Sequence, residues 1–260
     1  MADERAYFQS EIVEGHIFVI TIDRPEARNA FNGAMARQLE ALIDRFDDDD
    51  ALWVAIIKAN GPTFSAGQDL KAARTNDMGA AKKRGGFGIM GVPPKKPIIA
   101  AIDGQALAGG MELTLSCDLI VATESSVFGL AEAKRGLLAV GGGCFRLPRR
   151  VPYHVAMEMI LTGETKTARE MHQHGLVNKV VPPGQALDGA LELARMIARN
   201  SPVAVRAAKE IAYRSAAELW NDADGWTKQQ EPSRAVMRSE DLQEGLRAFA
   251  EKRDPVWKGR

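Results

Sequence analysis

A carboxylate inside an otherwise apolar helix is the first group in this sequence that could do chemistry. Residues 106–117 are apolar or small on every side and predict a buried helix, yet they contain Glu112. Burying a carboxylate is costly unless it is paired or its pKa rises. Gly109 precedes it by three residues, on the same helical face and near the helix start, where backbone N–H groups lack partners. The pattern indicates an anion-stabilising N–H beside a titratable carboxylate. A tight helix crossing at Gly109-Gly110 with Glu112 in a structural ion pair is the alternative.

A second segment, Phe64–Leu70, is rich in small residues and follows a turn after a strand. Ala66 and Gly67 would let the backbone run close to a ligand. A free N–H at Gln68, just before a helix, would supply a second oxyanion donor. An ordinary strand-to-helix turn in which Asp69 caps the helix also explains the segment.

Three further groups carry weaker signals. Glu132 stands near two basic residues, where a solvated surface carboxylate is the ordinary interpretation. The run Gly141–Gly143 followed by Arg146 has neither the ending of a phosphate-binding P-loop nor GxGxxG spacing. Asp47–Asp50 lacks the spacing of a calcium loop and is expected to be a solvated helix end. The four histidines show no metal-ligand or triad context, so no metal site is expected.

The elements that must position these residues alternate between strand and helix. Ile12–Ile22 predicts a hairpin turning at Glu14-Gly15, and residues 33–46 predict an amphipathic helix. Short apolar runs predict buried strands at 52–57, 97–102 and 118–122. Residues 76–97, rich in Gly, Lys and Pro, predict a mobile surface segment. The order favours an α/β class with buried, largely parallel strands.

The last part of the chain changes character. From Ala186 to about Lys252 the sequence predicts helix after helix, with Ser201 as the N-cap of one that starts at Pro202. A helical segment after an α/β core suggests a lid or an assembly element.

Composition narrows the class of protein. A chain of 260 residues buries about 70–75% of its unfolded surface and needs no disulfide or metal. Lys+Arg 34 against Asp+Glu 34 argues against nucleic-acid or anionic-membrane partners. Cys117 and Cys144 do not have the spacing of a metal-binding or redox motif, so we expect them to be buried thiols of a protein in a reducing compartment. No apolar h-region and no apolar run of about 18 residues occur, so neither a targeting peptide nor a membrane span is expected. The prediction is a cytoplasmic protein.

Several motifs, in their order and spacing, resemble those of the crotonase (enoyl-CoA hydratase/isomerase) superfamily, and together they cover essentially the whole chain. They are Asp23–Pro25, Asn29–Asn32, Phe64–Leu70, Ala108–Leu113, Phe128–Glu132, Leu161–Gly163, Gly175–Val177 and Phe249–Arg253. The tail from Ser239 to Arg260 resembles the carnitinyl-CoA dehydratase branch.

The resemblance implies an α/β spiral of repeated ββα turns over residues 1–200, and a C-terminal helical segment over 201–260 that builds homotrimers or dimers of trimers. It implies an acyl-CoA thioester substrate whose enolate is stabilised by the N–H groups of Gln68 and Gly109. The two glutamates that hydratases of the family place twenty positions apart fall on Glu112 and Glu132. Glu112 would deprotonate water for attack at C3, and Glu132 would deliver a proton to C2. Coenzyme A is part of the substrate, and no separate cofactor or metal is implied.

The resemblance also assigns contacts to the substrate and to CoA, two of them from a neighbouring subunit, namely Phe249 and Lys252. The full set is Ala27, Arg28, Ala66, Gly67, Asp69, Leu70, Gly110, Val140, Phe249 and Lys252.

One departure from the family pattern lies beside the expected position of the reacting water. Ala139-Val140 stands where hydratases of the family usually have Pro-Gly. This departure points either to a different acyl chain or to chemistry in the dehydration direction. The intact glutamate pair favours an enoyl-CoA hydratase of the fatty-acid β-oxidation type. The alternatives are a carnitinyl-CoA dehydratase-like lyase, a Δ3-Δ2 enoyl-CoA isomerase and a noncatalytic acyl-CoA-binding protein.

Overall fold

The computed structural model describes residues 5–260, in which strands and helices alternate as far as Val181 and helices follow. The strands are β1 (Phe8–Val13), β2 (Ile17–Ile22), β3 (Val54–Ala59), β4 (Thr63–Ser65), β5 (Ala80–Ala81), β6 (Gly85–Gly86), β7 (Ile98–Ile102), β8 (Gln105–Leu107), β9 (Leu119–Thr123), β10 (Val127–Gly129), β11 (Lys166–Thr167) and β12 (Lys179–Val181). The α/β class is therefore confirmed. The acidic start of the chain at Asp3 and Glu4, one basis for expecting no targeting peptide, lies outside the described residues.

From Ala186 onward helix follows helix with no strand between them in the described chain, as the sequence predicts. The helices are α1 (Gly33–Asp48), α2 (Leu70–Ala73), α3 (Gly109–Thr114), α4 (Gly143–Arg146), α5 (Tyr153–Thr162), α6 (Ala168–Gln173), α7 (Ala186–Ala198), α8 (Pro202–Ala217), α9 (Asp222–Lys228), α10 (Gln230–Met237) and α11 (Glu240–Glu251). Short 3-10 turns cover Pro25–Ala27, Glu132–Arg135 and Leu147–Arg149.

Two sheets hold the strands of residues 5–260 except β5 and β6, which pair with each other. The larger sheet has the order β1-β2-β3-β7-β9-β12, and the smaller has the order β11-β10-β8-β4. Strands β3, β7 and β9 lie in the larger sheet, and each is followed directly by a strand of the smaller one, so the chain winds as a spiral of ββα turns. Pairings in both sheets are parallel, except β1 with β2 and β10 with β11. The smaller sheet carries the residues just before each candidate glutamate.

Helix α1 covers one face of the larger sheet through the apolar face that the sequence predicts. Asn32 caps it by accepting a hydrogen bond from the Met35 N–H at 3.0 Å. Met35, Leu39, Ile43 and Phe46 are fully buried in the core. The predicted hairpin is also present, with Val13 of β1 opposite Ile17 of β2.

The segment 76–97 is not the mobile surface loop that its composition predicted. Its apolar side chains Phe87, Ile89 and Met90 are buried in the main core, and its backbone forms the small β5–β6 hairpin. The Phe87 ring stacks on Phe31, with ring centroids 4.1 Å apart. Gly, Lys and Pro content misled the prediction because a few apolar anchors are enough to fix such a segment.

A buried ion-pair cluster attaches this segment to α1. The Arg84 guanidinium, only 4% exposed, lies 2.7 Å from carboxylate oxygens of both Asp44 and Asp47. The side chain of Asp47 is 2% exposed, and it also accepts a hydrogen bond from the Lys95 N–H. The expectation of a solvated helix end is therefore wrong at Asp47, because the end of α1 faces the segment rather than solvent.

Hydrogen bonds join the start of α8, the start of α11 and the end of the chain. Ser201 caps α8 by accepting from the Ala204 N–H at 3.2 Å, with Pro202 in the first turn, as predicted. The buried Asp241 of α11 accepts from the Ser201 hydroxyl and from the Lys258 and Gly259 N–H groups. The tail is thus closed onto the start of α8.

We expect Arg84→Met to lower the free energy of unfolding by about 3–5 kcal/mol, because Asp47 would remain buried without a cation. Lys83→Met is the matched control, since Lys83 pairs with the same Asp44 at 2.8 Å but is largely exposed. That variant should lose less than about 1 kcal/mol. Urea unfolding followed by circular dichroism measures both values, and equal losses would contradict a buried anchor.

Candidate active site

The helix that carries Glu112 is shorter than the sequence predicted. Residues 105–107 form strand β8, and α3 begins only at Gly109. Ala108, the residue between them, has φ 52° and ψ −126°, a conformation that costs a non-glycine residue about 1–3 kcal/mol. It turns the chain sharply from strand to helix. Gly109 consequently occupies the first helical position, where its N–H has no intrahelical acceptor.

Two glycines allow a close approach of backbones at this point. A Cβ added at Gly67, whose φ is +93°, would lie 2.8 Å from the Gly109 nitrogen. A Cβ added at Gly109 would lie 2.5 Å from Cζ of Phe87. On the other side of the same α3 turn, a Cβ at Gly110 would meet the Ser65 carbonyl oxygen at 2.2 Å. Side chains are therefore excluded from both sides of the contact between β4 and α3.

The backbone N–H groups of Gln68 and Gly109 are both free beside this contact. The Phe31 N–H donates to the Gly67 carbonyl, and the Asp69 N–H donates to the Phe31 carbonyl, each at 2.8 Å. Gln68 lies between those two bonds, so its own N–H points away from Phe31. Within residues 5–260 neither N–H donates to a protein acceptor. The structure thus brings together the two donors that the sequence singled out.

Glu112 is buried, and its carboxylate is held by backbone rather than by a cation. Its Oε1 accepts a hydrogen bond from the Gly143 N–H at 2.9 Å, and the Gly141 N–H also donates to the carboxylate. Burial raises the pKa of Glu112 above its ordinary value, while the two N–H groups and the nearby positive charge of Arg146 oppose that rise. No Lys, Arg or His of the described residues forms an ion pair with it, which excludes the structural ion pair considered above.

Glu132 is the first residue of a 3-10 turn, and residues 130–131 separate it from the end of β10. Its Oε2 atom is buried and has no hydrogen-bond partner. Burial, reinforced by the charge of Glu112, raises the pKa of Glu132 to about 7. Lys134, one of the two basic neighbours in sequence, pairs instead with Glu164 at 2.8 Å. The interpretation of Glu132 as a solvated surface carboxylate is therefore wrong.

The glycine run 141–143 is the functional feature that sequence reasoning missed. Its N–H groups serve a carboxylate of the protein itself rather than a phosphate. A Cβ at Gly141 would lie 2.7 Å from Oε2 of Glu112, and Gly142 has φ +114°. Three glycines in a row are the only signal of this in the sequence, and that signal does not say what the loop binds.

The residues assigned to CoA by resemblance fall into two groups. The Ala66 N–H donates to the Arg28 carbonyl at 3.0 Å, which places the Ala27-Arg28 backbone beside the Gln68 turn. Asp69 caps α2, and the Asp69 carboxylate pairs with Arg24 at 2.8 Å. Leu70, the first residue of α2, is exposed. This group therefore lies beside the free N–H group of Gln68.

The second group lies at exposed positions. The side chain of Val140 is 80% exposed, although the next residue, Gly141, touches Glu112. Phe249 is 87% exposed, and Lys252 closes α11 in the left-handed conformation with φ 54°. Helix α11 packs mainly against α10 and the tail, so a single chain does not bring Phe249 and Lys252 to the glutamates.

No group of three or more His, Cys, Asp or Glu side chains within residues 5–260 is arranged to hold a metal ion. No helix in the described part of the chain is long and apolar enough to cross a membrane.

The raised pKa of Glu132 makes the stability of the protein depend on pH. The folded state keeps a proton on Glu132 up to about pH 7, whereas the unfolded chain releases it near the ordinary value of 4.5. Stability is therefore lost as pH rises through that window. We expect Glu132→Gln to be more stable than wild type at pH 8, by about 1 kcal/mol after solvent screening, and equally stable at pH 4. Urea unfolding of both proteins at the two pH values measures the difference, and a lower stability of the variant at pH 8 would contradict the assignment.

Comparison with known proteins agrees with this geometry. The family model described as Enoyl-CoA hydratase/isomerase matches residues 13–260. Enoyl-CoA hydratase EchA19 of Mycobacterium tuberculosis is 40% identical over 253 residues, which cover 95% of this chain and 94% of that protein. Carnitinyl-CoA dehydratase of Salmonella paratyphi A is 42% identical over 255 residues, which cover 95% and 96%. The crystal structure of enoyl-CoA hydratase from M. tuberculosis H37Rv matches with a TM-score of 0.92 at 45% identity, covering 98% of this chain and 99% of that one. The crotonase-type fold is thereby confirmed, and the chain belongs to the enoyl-CoA hydratase/isomerase family.

Proposed function

We propose that this protein is an enoyl-CoA hydratase, which adds water reversibly to a trans-2-enoyl-CoA thioester to give a 3-hydroxyacyl-CoA. One observation carries the proposal. A buried carboxylate held by backbone N–H groups, Glu112, stands within electrostatic reach of a carboxyl group with a pKa of about 7, Glu132. The family of the chain and the names of its relatives support the same reaction.

The free N–H groups of Gln68 and Gly109 bind the thioester oxygen. As the nucleophile adds at C3, negative charge moves through the conjugated system onto this oxygen and forms an enolate. Two fixed N–H donors stabilise that charge more than the neutral thioester, so they lower the barrier. Neither donor has a competing acceptor in the described chain, so no protein hydrogen bond must break for the substrate to enter.

The two glutamates divide the proton transfers. Glu112, whose carboxylate is held in place by backbone donors, takes a proton from water while the water oxygen forms the bond to C3. Glu132 has a pKa of about 7 and holds a proton near neutral pH, which it gives to C2 of the enolate. The substrate gains one hydrogen and one hydroxyl group. The proton left on Glu112 must return to Glu132 or to solvent before the next turnover.

We also propose the CoA contacts and the assembly that the resemblance implies. Ala27, Arg28, Ala66, Gly67, Asp69, Leu70 and Gly110 line the CoA side of the site, while Val140 borders the acyl side. Phe249 and Lys252 reach the CoA of a neighbouring subunit when residues 201–260 assemble trimers or dimers of trimers around the core of residues 1–200. The 87% exposure of a phenylalanine on α11 supports a partner at that surface.

A carnitinyl-CoA dehydratase is the second candidate function. A named carnitinyl-CoA dehydratase is as similar to this chain as the named hydratase, at 42% against 40% identity. The exposed Val140 beside Gly141 changes the acyl side of the site relative to a glycine. We further propose a cytoplasmic enzyme that needs no metal or additional cofactor, which the free thiols of Cys117 and Cys144 support.

The reaction is tested by following the conjugated enoyl-thioester absorbance of crotonyl-CoA as water adds. We expect rapid loss with wild type and a rate at least about 10²-fold lower for Glu132→Gln, because general acid catalysis contributes about 10²–10⁴-fold. Binding of the CoA ester should stay nearly unchanged in the variant. Full activity of Glu132→Gln would remove it as the proton donor. An increase in absorbance with carnitinyl-CoA, together with no reaction of crotonyl-CoA, would select the second candidate.

The oxyanion donors are tested by deleting the Gly109 N–H with Gly109→Pro. Proline fits the first position of a helix, but its ring would collide with Phe87. The variant is therefore made in a Phe87→Leu background, and Phe87→Leu alone is the control that retains the N–H. We expect the double variant to lose about 10²–10³-fold in kcat relative to that control. Equal kcat values in two folded proteins would exclude the Gly109 N–H from the mechanism.

A further inference from the structure

Arg146, the last residue of α4, contacts each of the three chain segments that surround the carboxylate of Glu112. Its Nη1 donates to Oγ of Ser116 at 2.9 Å, and Ser116 in turn donates to the Glu112 carbonyl at 2.9 Å. Its Nη2 donates to the Met90 carbonyl. A Cβ at Gly142 would lie 3.1 Å from Nη1, so the guanidinium folds back under the glycine run. One side chain thus joins Ser116 just beyond α3, the segment 76–97 and the run 141–143.

One of these three contacts leads to the backbone of Glu112, and the other two lead to its carboxylate. Ser116 lies one turn after Glu112, just beyond the end of α3. The Met90 sulfur packs at Gly141, where a Cβ would lie 2.5 Å from Sδ and 2.7 Å from Oε2 of Glu112. Gly143, at the start of α4, donates the 2.9 Å hydrogen bond to Oε1. A shift of the Arg146 side chain would therefore move at least one wall of the Glu112 site.

Arg146 also has a charge that no carboxylate neutralises. Within the described residues it forms no ion pair closer than 4 Å, although its positive charge acts on Glu112. The other titratable groups that face Glu112 are Glu132 on the 3-10 turn and Cys144 on α4. Neither supplies a positive charge, so the guanidinium is the single cationic influence on the carboxylate in this part of the chain.

We propose that Arg146 is a positioning residue for Glu112, whose guanidinium fixes the glycine run against Ser116 and the Met90 carbonyl and places a positive charge near the carboxylate without touching it. The proposal deepens the function proposed above and rests on it, because an ionised Glu112 is what the hydration step requires. Arg146 does not contact the reacting atoms. Its contribution comes through the geometry and charge state of another residue.

The charge state of Glu112 can be measured without any assay of activity. In protein labelled with ¹³C at the glutamate carboxyl carbons, the Glu112 signal is identified by its loss in Glu112→Gln. We expect Arg146→Gln, which removes the charge but retains amide donors, to raise the titration midpoint of Glu112 by about one pH unit. Arg146→Lys, which keeps the charge, should leave the midpoint within about 0.3 pH unit. Arg149→Gln is the matched control, since Arg149 lies near the same Phe145 ring but is exposed, and it should not move the midpoint.

Kinetics supply the second readout. Loss of activity as pH falls follows protonation of Glu112, so the acidic limb of the kcat/KM profile should move to higher pH in Arg146→Gln by the same amount as the midpoint. KM should change little in Arg146→Lys while kcat falls, because a lysine cannot make both hydrogen bonds of the guanidinium. Arg149→Gln should keep the wild-type profile.

The outcomes separate this proposal from the proposed function. An unchanged Glu112 midpoint in folded Arg146→Gln, or equal shifts in Arg146→Gln and Arg149→Gln, overturns the role of Arg146. A wild-type protein that hydrates no enoyl-CoA overturns the proposed function, while the carboxyl titration still decides whether Arg146 controls Glu112.

Discussion

The arrangement of this site depends on holding one carboxyl group inside a protein core without an ion-pair partner. Glu112 is surrounded by apolar or backbone atoms, and desolvation favours its neutral form. A direct salt bridge would restore the charge but would also occupy the oxygen that must receive a proton. Backbone N–H groups solve both problems, because they stabilise the anion from one side and are not themselves acids at physiological pH.

That requirement explains several features that look unrelated in the chain. The glycine run must lie close enough to donate its N–H groups, so side chains are excluded there. The strained Ala108 places the start of α3 where the Gly109 N–H remains free. The cluster of Arg84, Asp44 and Asp47 holds the segment that brings Met90 and Phe87 to the same place. The conformational strain at Ala108 is therefore offset by stabilising contacts outside the site, such as the ion pairs of Arg84.

The sequence predicted the fold class, the hairpin, α1 and the C-terminal helices, and it singled out the two residues whose N–H groups are free in the structure. Periodicity and caps report local structure, and those elements are local. It did not predict the environment of Glu132, because Lys134, a basic residue beside it in sequence, pairs with Glu164 instead. It misread the segment 76–97, since the partner of Arg84 is some forty residues away on α1. It also did not reveal what the glycine run binds, since Glu112 lies thirty-one positions before Gly143. Each failure is a contact between distant parts of the chain.

The buried, unpartnered oxygen of Glu132 has a consequence for how such proteins diverge. A side chain kept at a cost in stability is retained only while its chemistry is under selection. Once that selection is relaxed, replacement of Glu132 by an amide or an apolar residue would increase the stability of the folded protein near neutral pH. The glycines at 67, 109 and 110 have no such route, because any larger residue collides with backbone or with Phe87. Descendants of this scaffold would therefore lose the carboxyl group at position 132 first and keep the close backbone contact with its free N–H groups, which could then serve another reaction.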